Sequence, residues 1–70
     1  MDALTPAETE ALECIRLICE WKGMQRSTAH ARGTELNALK WAVGHTPAMP
    51  DDLSARCQAA IATLSAERGQ

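Results

Sequence analysis

The stretch from Thr5 to Gly23 leaves this chain few folds to choose from. Thr5-Pro6-Ala7-Glu8 is a capping box with proline at the first helical position. The threonine oxygen accepts a backbone N–H, and the Glu8 carboxylate reaches back to the amide of Thr5. A helix should therefore run from Pro6 to about Lys22, with Gly23 as a left-handed stop and Met24 folding back onto the last turn. Ala7, Ala11, Leu12, Cys14, Ile15, Leu17, Ile18, Cys19 and Trp21 cover more than half of its circumference. An ordinary surface helix shows an apolar arc of only about 100°. So wide a face implies packing on two sides, against the chain's own helices and against a second copy. Leu12, Ile15, Ile18 and Trp21 are the expected dimer interface.

A second helix should lie between Gly23 and Pro47, and its start can be read in more than one way. Ser27 could cap a helix beginning at Thr28, or Gly33-Thr34 could open one with Glu35 in its first turn. One long helix through Gly23 and Gly33 is a third reading, at a cost of about 1 kcal/mol per glycine relative to alanine. Gly44 is the expected stop, and Pro47 bars continuation. Pro50-Asp51-Asp52 then opens a third helix, with both carboxylates near the positive end of its dipole. Leu53, Cys57, Ala60, Ile61 and Leu64 form its narrow apolar stripe, and Ala55, Ala59, Ala62 and Ala66 its smooth opposite side. Arg68 and Gly69 close it. No alternating pattern, repeat or low-complexity tract appears. The chain reads as one all-α domain over residues 1–70, with helices at about 6–22, 28–43 and 50–67: a helical hairpin plus a third helix, expected to form a dimeric helical bundle.

The chain's 70 residues also favour self-association. A single core of this size rarely supplies more than about 3–5 kcal/mol, and alanine contributes helix propensity without filling space. The three cysteines cannot all pair within one chain, and Cys14 and Cys19 point roughly 140° apart on one helix. Buried free thiols in a reducing compartment follow. The N-terminus lacks the basic region and apolar run of a signal peptide, and no stretch approaches a membrane span. A soluble, cytoplasmic protein is expected.

Chemistry finds little to work with. Zinc sites use close pairs such as C-x-x-C or H-x-x-x-H, and Cys14, Cys19, Cys57, His30 and His45 offer none. No cofactor is expected. A nucleophile needs a base within reach, and neither histidine has an acid partner at short range. The expectation is a non-enzymatic protein. A trihelical chain also raises the helix-turn-helix DNA reader. Asn37 and Lys40 suit that role, but the net charge of −2, Glu35 at a helix start and Asp51-Asp52 argue against phosphate binding.

Recognition is what remains. Leu36, Leu39 and Val43 share a face of the second helix, while Trp41 points well away from it. If that helix begins near Ser27, then His30, Thr34, Asn37 and Trp41 line one side, a mixture of hydrogen-bonding groups and an aromatic anchor. The competing reading has Trp41 covering a small core from the side. Charge is uneven as well: Glu8, Glu10, Glu13 and Glu20 load the first helix, and Lys22, Arg26, His30 and Arg32 cluster after it. Trp41, His30, Thr34, Asn37, Arg26 and Arg32 are the expected partner-binding residues.

Ser27-Thr28-Ala29-His30-Ala31-Arg32, followed by Ala38-Leu39-Lys40-Trp41, resembles the small phage-encoded quorum-sensing anti-activators of Pseudomonas phages. The resemblance covers about fifteen positions, a short pattern. It implies a helical homodimer that binds a host LuxR-type transcription activator, and it carries Trp41 over as a contact residue. The alanine-rich composition and small size also suit anti-CRISPR inhibitors, which occlude a host surface. The expected function is inhibition of a host regulatory or defence protein by a phage- or prophage-encoded binder. A small DNA-binding regulator and a structural phage subunit are the alternatives.

Overall fold

The structure, a computed structural model, describes residues 3–69. It contains four helices: α1 (Pro6–Lys22), α2 (Arg26–His30), α3 (Glu35–Gly44) and α4 (Asp51–Glu67). No strand occurs among the described residues.

The ends of α1 follow from local chemistry. Thr5 Oγ1 accepts from the Glu8 amide at 3.1 Å, and Glu8 Oε1 accepts from the Thr5 amide at 2.9 Å, completing the capping box. At the other end Gly23 takes a φ of 78°, and the amides of Gly23 and Met24 both donate to the Cys19 carbonyl. Met24 then packs against the core.

The region after α1 departs from the expected single helix over 28–43. Of the two start signals only Gly33-Thr34 is used: Ser27 lies inside a short helix that begins at Arg26 and has no side-chain cap, and the chain breaks before Thr34. Gln25 precedes the five-residue α2, which is anchored by the buried Ala29. Residues 31–34 then form a turn in which Gly33 has a φ of 114°, a conformation that side chains avoid. Thr34 opens α3, its hydroxyl accepting from the Asn37 amide at 3.4 Å.

Gly44 is the last helical residue of α3 and not a left-handed stop, since its φ is not positive. Thr46 does that work instead. It is buried, and its hydroxyl donates to the Ala42 carbonyl at 2.8 Å while its amide reaches Val43. A side-chain donor thus satisfies a helix-end carbonyl that would otherwise need a left-handed residue. Pro50 precedes α4, and Gly69, with a φ of 71°, follows it.

Helix α4 runs against α1. Thr5 meets Glu67, Glu8 meets Arg68, and Cys14 neighbours Cys57. Arg68 also binds Glu35 at 2.8 Å, so α3 begins at the same end of the bundle as α1. Ile15, Ile18, Leu36, Leu39, Leu64, Cys14 and Cys57 are the largest fully buried side chains. The radius of gyration is 11.3 Å, close to the roughly 11 Å of a compact chain of this length.

This packing corrects the expected dimer interface. Ile15 and Ile18 are wholly buried inside the single chain, and Leu12 is half-buried against the same core. The apolar face of α1 is broad because α2, α3 and α4 all pack against this one helix. Of the four residues only Trp21 is substantially free, at 44% exposure.

The charges that tie the helices carry a pH signature. The Thr5 amide and then the Arg68 guanidinium hold the Glu8 carboxyl below the ordinary value of 4.5. Arg56 does the same for Glu10, and Arg16 for Glu13. A carboxyl depressed in the folded state stabilises above its unfolded pKa, and that stability is lost as pH falls through the lower folded value. The urea midpoint is therefore expected to be flat through neutrality and to decline below about pH 4.5. Arg68→Met should flatten that decline, which urea titrations monitored by circular dichroism at several pH values will show.

Candidate protein-interaction face

Helix α3 turns two unlike faces outward and inward. Leu36, Ala38, Leu39 and Ala42 are buried, whereas Asn37, Lys40 and Gly44 are exposed and Trp41 is partly buried. At roughly 100° per residue, Asn37, Lys40 and Trp41 fall within one arc of the helix. Glu35, the acidic residue of this helix, is directed to Arg68 and away from that arc.

Trp41 is held from both ends of its surroundings. The Arg32 guanidinium carbon lies 4.5 Å from the centre of its ring, a cation–π arrangement. The His45 ring sits 4.4 Å from it, tilted by 31°, and His45 Nδ1 approaches the Trp41 carbonyl at 2.9 Å. The lower part of the indole packs against the core. Both sequence readings of Trp41 are therefore partly met: it flanks the core and still presents surface. The expected contact set does not include His45, which the structure adds to this cluster. Its spacing of four from Trp41 places both on one helical side, which is the signal that could have found it.

The other expected contact residues divide. Thr34, Asn37 and Trp41 do lie along α3, but His30 belongs to α2, across the turn at Gly33, so the proposed four-residue stripe is broken. Thr34 is engaged as the N-cap. Asn37 lies beside Gly33, whose missing Cβ would come within 3.6 Å of its amide nitrogen. Arg32 joins Trp41 directly. Arg26 lies elsewhere, lining a groove of about 410 Å³ with Cys19, Met24 and Gln25.

That groove offers little chemistry. Its thiol, Cys19, is buried and pushed up by desolvation, and its carboxylate, Glu20, is held by Arg16. A second, more apolar groove of about 260 Å³ lies between α1 and α4, lined by Pro6, Ala7, Ala59 and Ala60 and closed at one side by the Glu10–Arg56 pair. Ala55, Ala59, Ala62 and Ala66 are all exposed along α4. Among the described residues, no three His, Cys, Asp or Glu side chains converge as metal ligands would. No helix is long and apolar enough to cross a membrane.

No protein-family model, curated protein or solved structure matches this chain.

Proposed function

We propose that this chain is a non-enzymatic binding domain that inhibits a partner protein by covering part of its surface, with the outward face of α3 as the contact. The observation that carries the reading is Trp41, partly buried against the core yet retaining some exposed surface, and flanked by Arg32 and His45. An aromatic ring already immobilised loses little conformational entropy when a partner covers it, which is the property of an interface anchor. The resemblance to phage anti-activators makes a host transcription activator of the LuxR type the expected partner, with a defence complex second. A phage or prophage origin and a cytoplasmic site of action belong to the same proposal. So does a homodimer, with Trp21 in place of Ile15 and Ile18 at its contact.

The test is affinity capture from lysate of the natural bacterial host with wild-type bait and with Trp41→Ala. An anchor of this kind is worth about 2–4 kcal/mol, so one stoichiometric host protein should be retained by the wild type and lost by the variant. Helicity of the variant should remain close to wild type by circular dichroism. Equal capture by both baits would remove Trp41 from the contact. Unfolding of the variant would make Trp41 a core residue and end the proposal.

A further inference from the structure

The seven lysines and arginines fall into two groups. Arg16, Arg56 and Arg68 are each bound to one or two glutamates on α1 or α3. Lys22, Arg26, Arg32 and Lys40 have no carboxylate partner among the described residues, and all four lie between the end of α1 and the middle of α3. The acid residues show the reverse arrangement. Every glutamate is engaged by an arginine or by Thr5, including Glu35, the single acid in the cationic stretch, which is neutralised by Arg68. Two of these unpaired cations, Arg32 and Lys40, belong to the face of Trp41, while Arg26 lines the groove beside Cys19, on a chain whose net charge is −2.

We infer that the α3 face takes an acidic protein segment, with aspartate and glutamate side chains flanking an apolar group that seats against Trp41. This rests on the α3 face being the contact surface proposed above. Arg32 is the residue that makes the chemistry specific. Its guanidinium lies against the indole ring, and its side chain donates no hydrogen bond within the described residues. A guanidinium held against a ring with no hydrogen bond of its own keeps its N–H groups available to grip a carboxylate, which it can do through two parallel hydrogen bonds. Lys40 extends the positive charge along the same exposed arc. A short acidic segment fits better than duplex nucleic acid. A long polyanion lying across this small molecule would also meet the carboxylates of α1 and of the α4 start, where Asp51 and Asp52 are exposed.

The experiment titrates ¹⁵N-labelled protein with a capped oligoglutamate peptide carrying a central leucine, and with the matching oligoglutamine peptide. The expected result is a set of amide and indole shifts confined to residues 32–45, obtained with the glutamate peptide alone. Raising salt from about 0.05 M to about 0.3 M should weaken them by roughly tenfold, because exposed charges are screened over that range. Arg32→Glu should abolish the shifts, and Lys40→Glu should reduce them. Both residues are exposed, so neither change threatens the fold. Equal shifts with oligoglutamine, shifts centred on α1 or α4, no shifts at all, or larger shifts at residues 32–45 with duplex DNA would each overturn the inference. The captured partner separates this claim from the one beneath it. A partner lost by Trp41→Ala but kept by Arg32→Glu and Lys40→Glu would leave the face as the contact and show that its partner is not acidic. Capture unaffected by Trp41→Ala would end both.

Discussion

Ile18→Ala is expected to unfold this protein. Ile18 is completely buried where α1 meets the other helices. Removing its side-chain methyl and methylene groups leaves a cavity in a close-packed core, at a cost of about 2–5 kcal/mol. A single core of this size supplies only about 3–5 kcal/mol in total. The variant should lose most of its helical circular dichroism at ambient temperature, or show a urea transition moved close to zero denaturant. Trp21→Ala is the informative companion, because Trp21 is 44% exposed and its loss should leave the fold in place. The pair decides between two roles for the apolar face of α1. If Ile18 lay at a contact between copies, its alanine variant would remain a folded monomer and change only the association measured by light scattering.

The second large effect is chemical. In native buffer the three thiols should react with an alkylating reagent at least about a hundredfold more slowly than in urea, since attack must await an opening of the structure. Cys14 and Cys57 are fully buried, and Cys19 is 2% exposed. Desolvation pushes the Cys14 thiol up to about 12 and raises those of Cys57 and Cys19 as well. The reactive thiolate is therefore almost absent at neutral pH even before access is considered. Mass spectrometry of the alkylated peptides should find Cys19 modified first. It lies in the last turns of α1, beside the open groove at Gly23, where helix ends fray. Rapid labelling of Cys14 or Cys57 in the folded protein would mean that α4 separates from α1 far more readily than their buried packing implies.

The grooves and the α3 face differ in how far a sequence can announce them. Trp41 could be singled out because a large ring off the apolar stripe of its helix is visible in helical phase alone. Arg32 could be suspected from charge, but its seat on the indole depends on a turn whose direction no propensity specifies. Grouping His30 with Trp41 requires an unbroken helix, and the turn at Gly33 separates them. Nearness in sequence groups Arg26 with Arg32, but the fold places Arg26 at the groove beside Cys19.

Local chemistry, by contrast, was enough for the ends of α1 and for the all-helical class. A capping box, a glycine stop and a proline act within one turn of backbone, so their consequences do not wait on distant contacts. The same is true of the start of α4, where Pro50 and two carboxylates suit a helix N-terminus. The all-helical class, α1 and α4 with their boundaries, and the burial of the cysteines were legible in the sequence, whereas the expected helix over 28–43 is divided into α2 and α3. Long-range packing set which helices cover the broad face of α1 and which arginines are taken up by glutamates, leaving Arg32 and Lys40 without carboxylate partners among the described residues on the Trp41 face. Those outcomes depend on residues far apart in the chain, such as Glu8 with Arg68 and Glu10 with Arg56, and helical periodicity carries no information about which distant side chain will arrive.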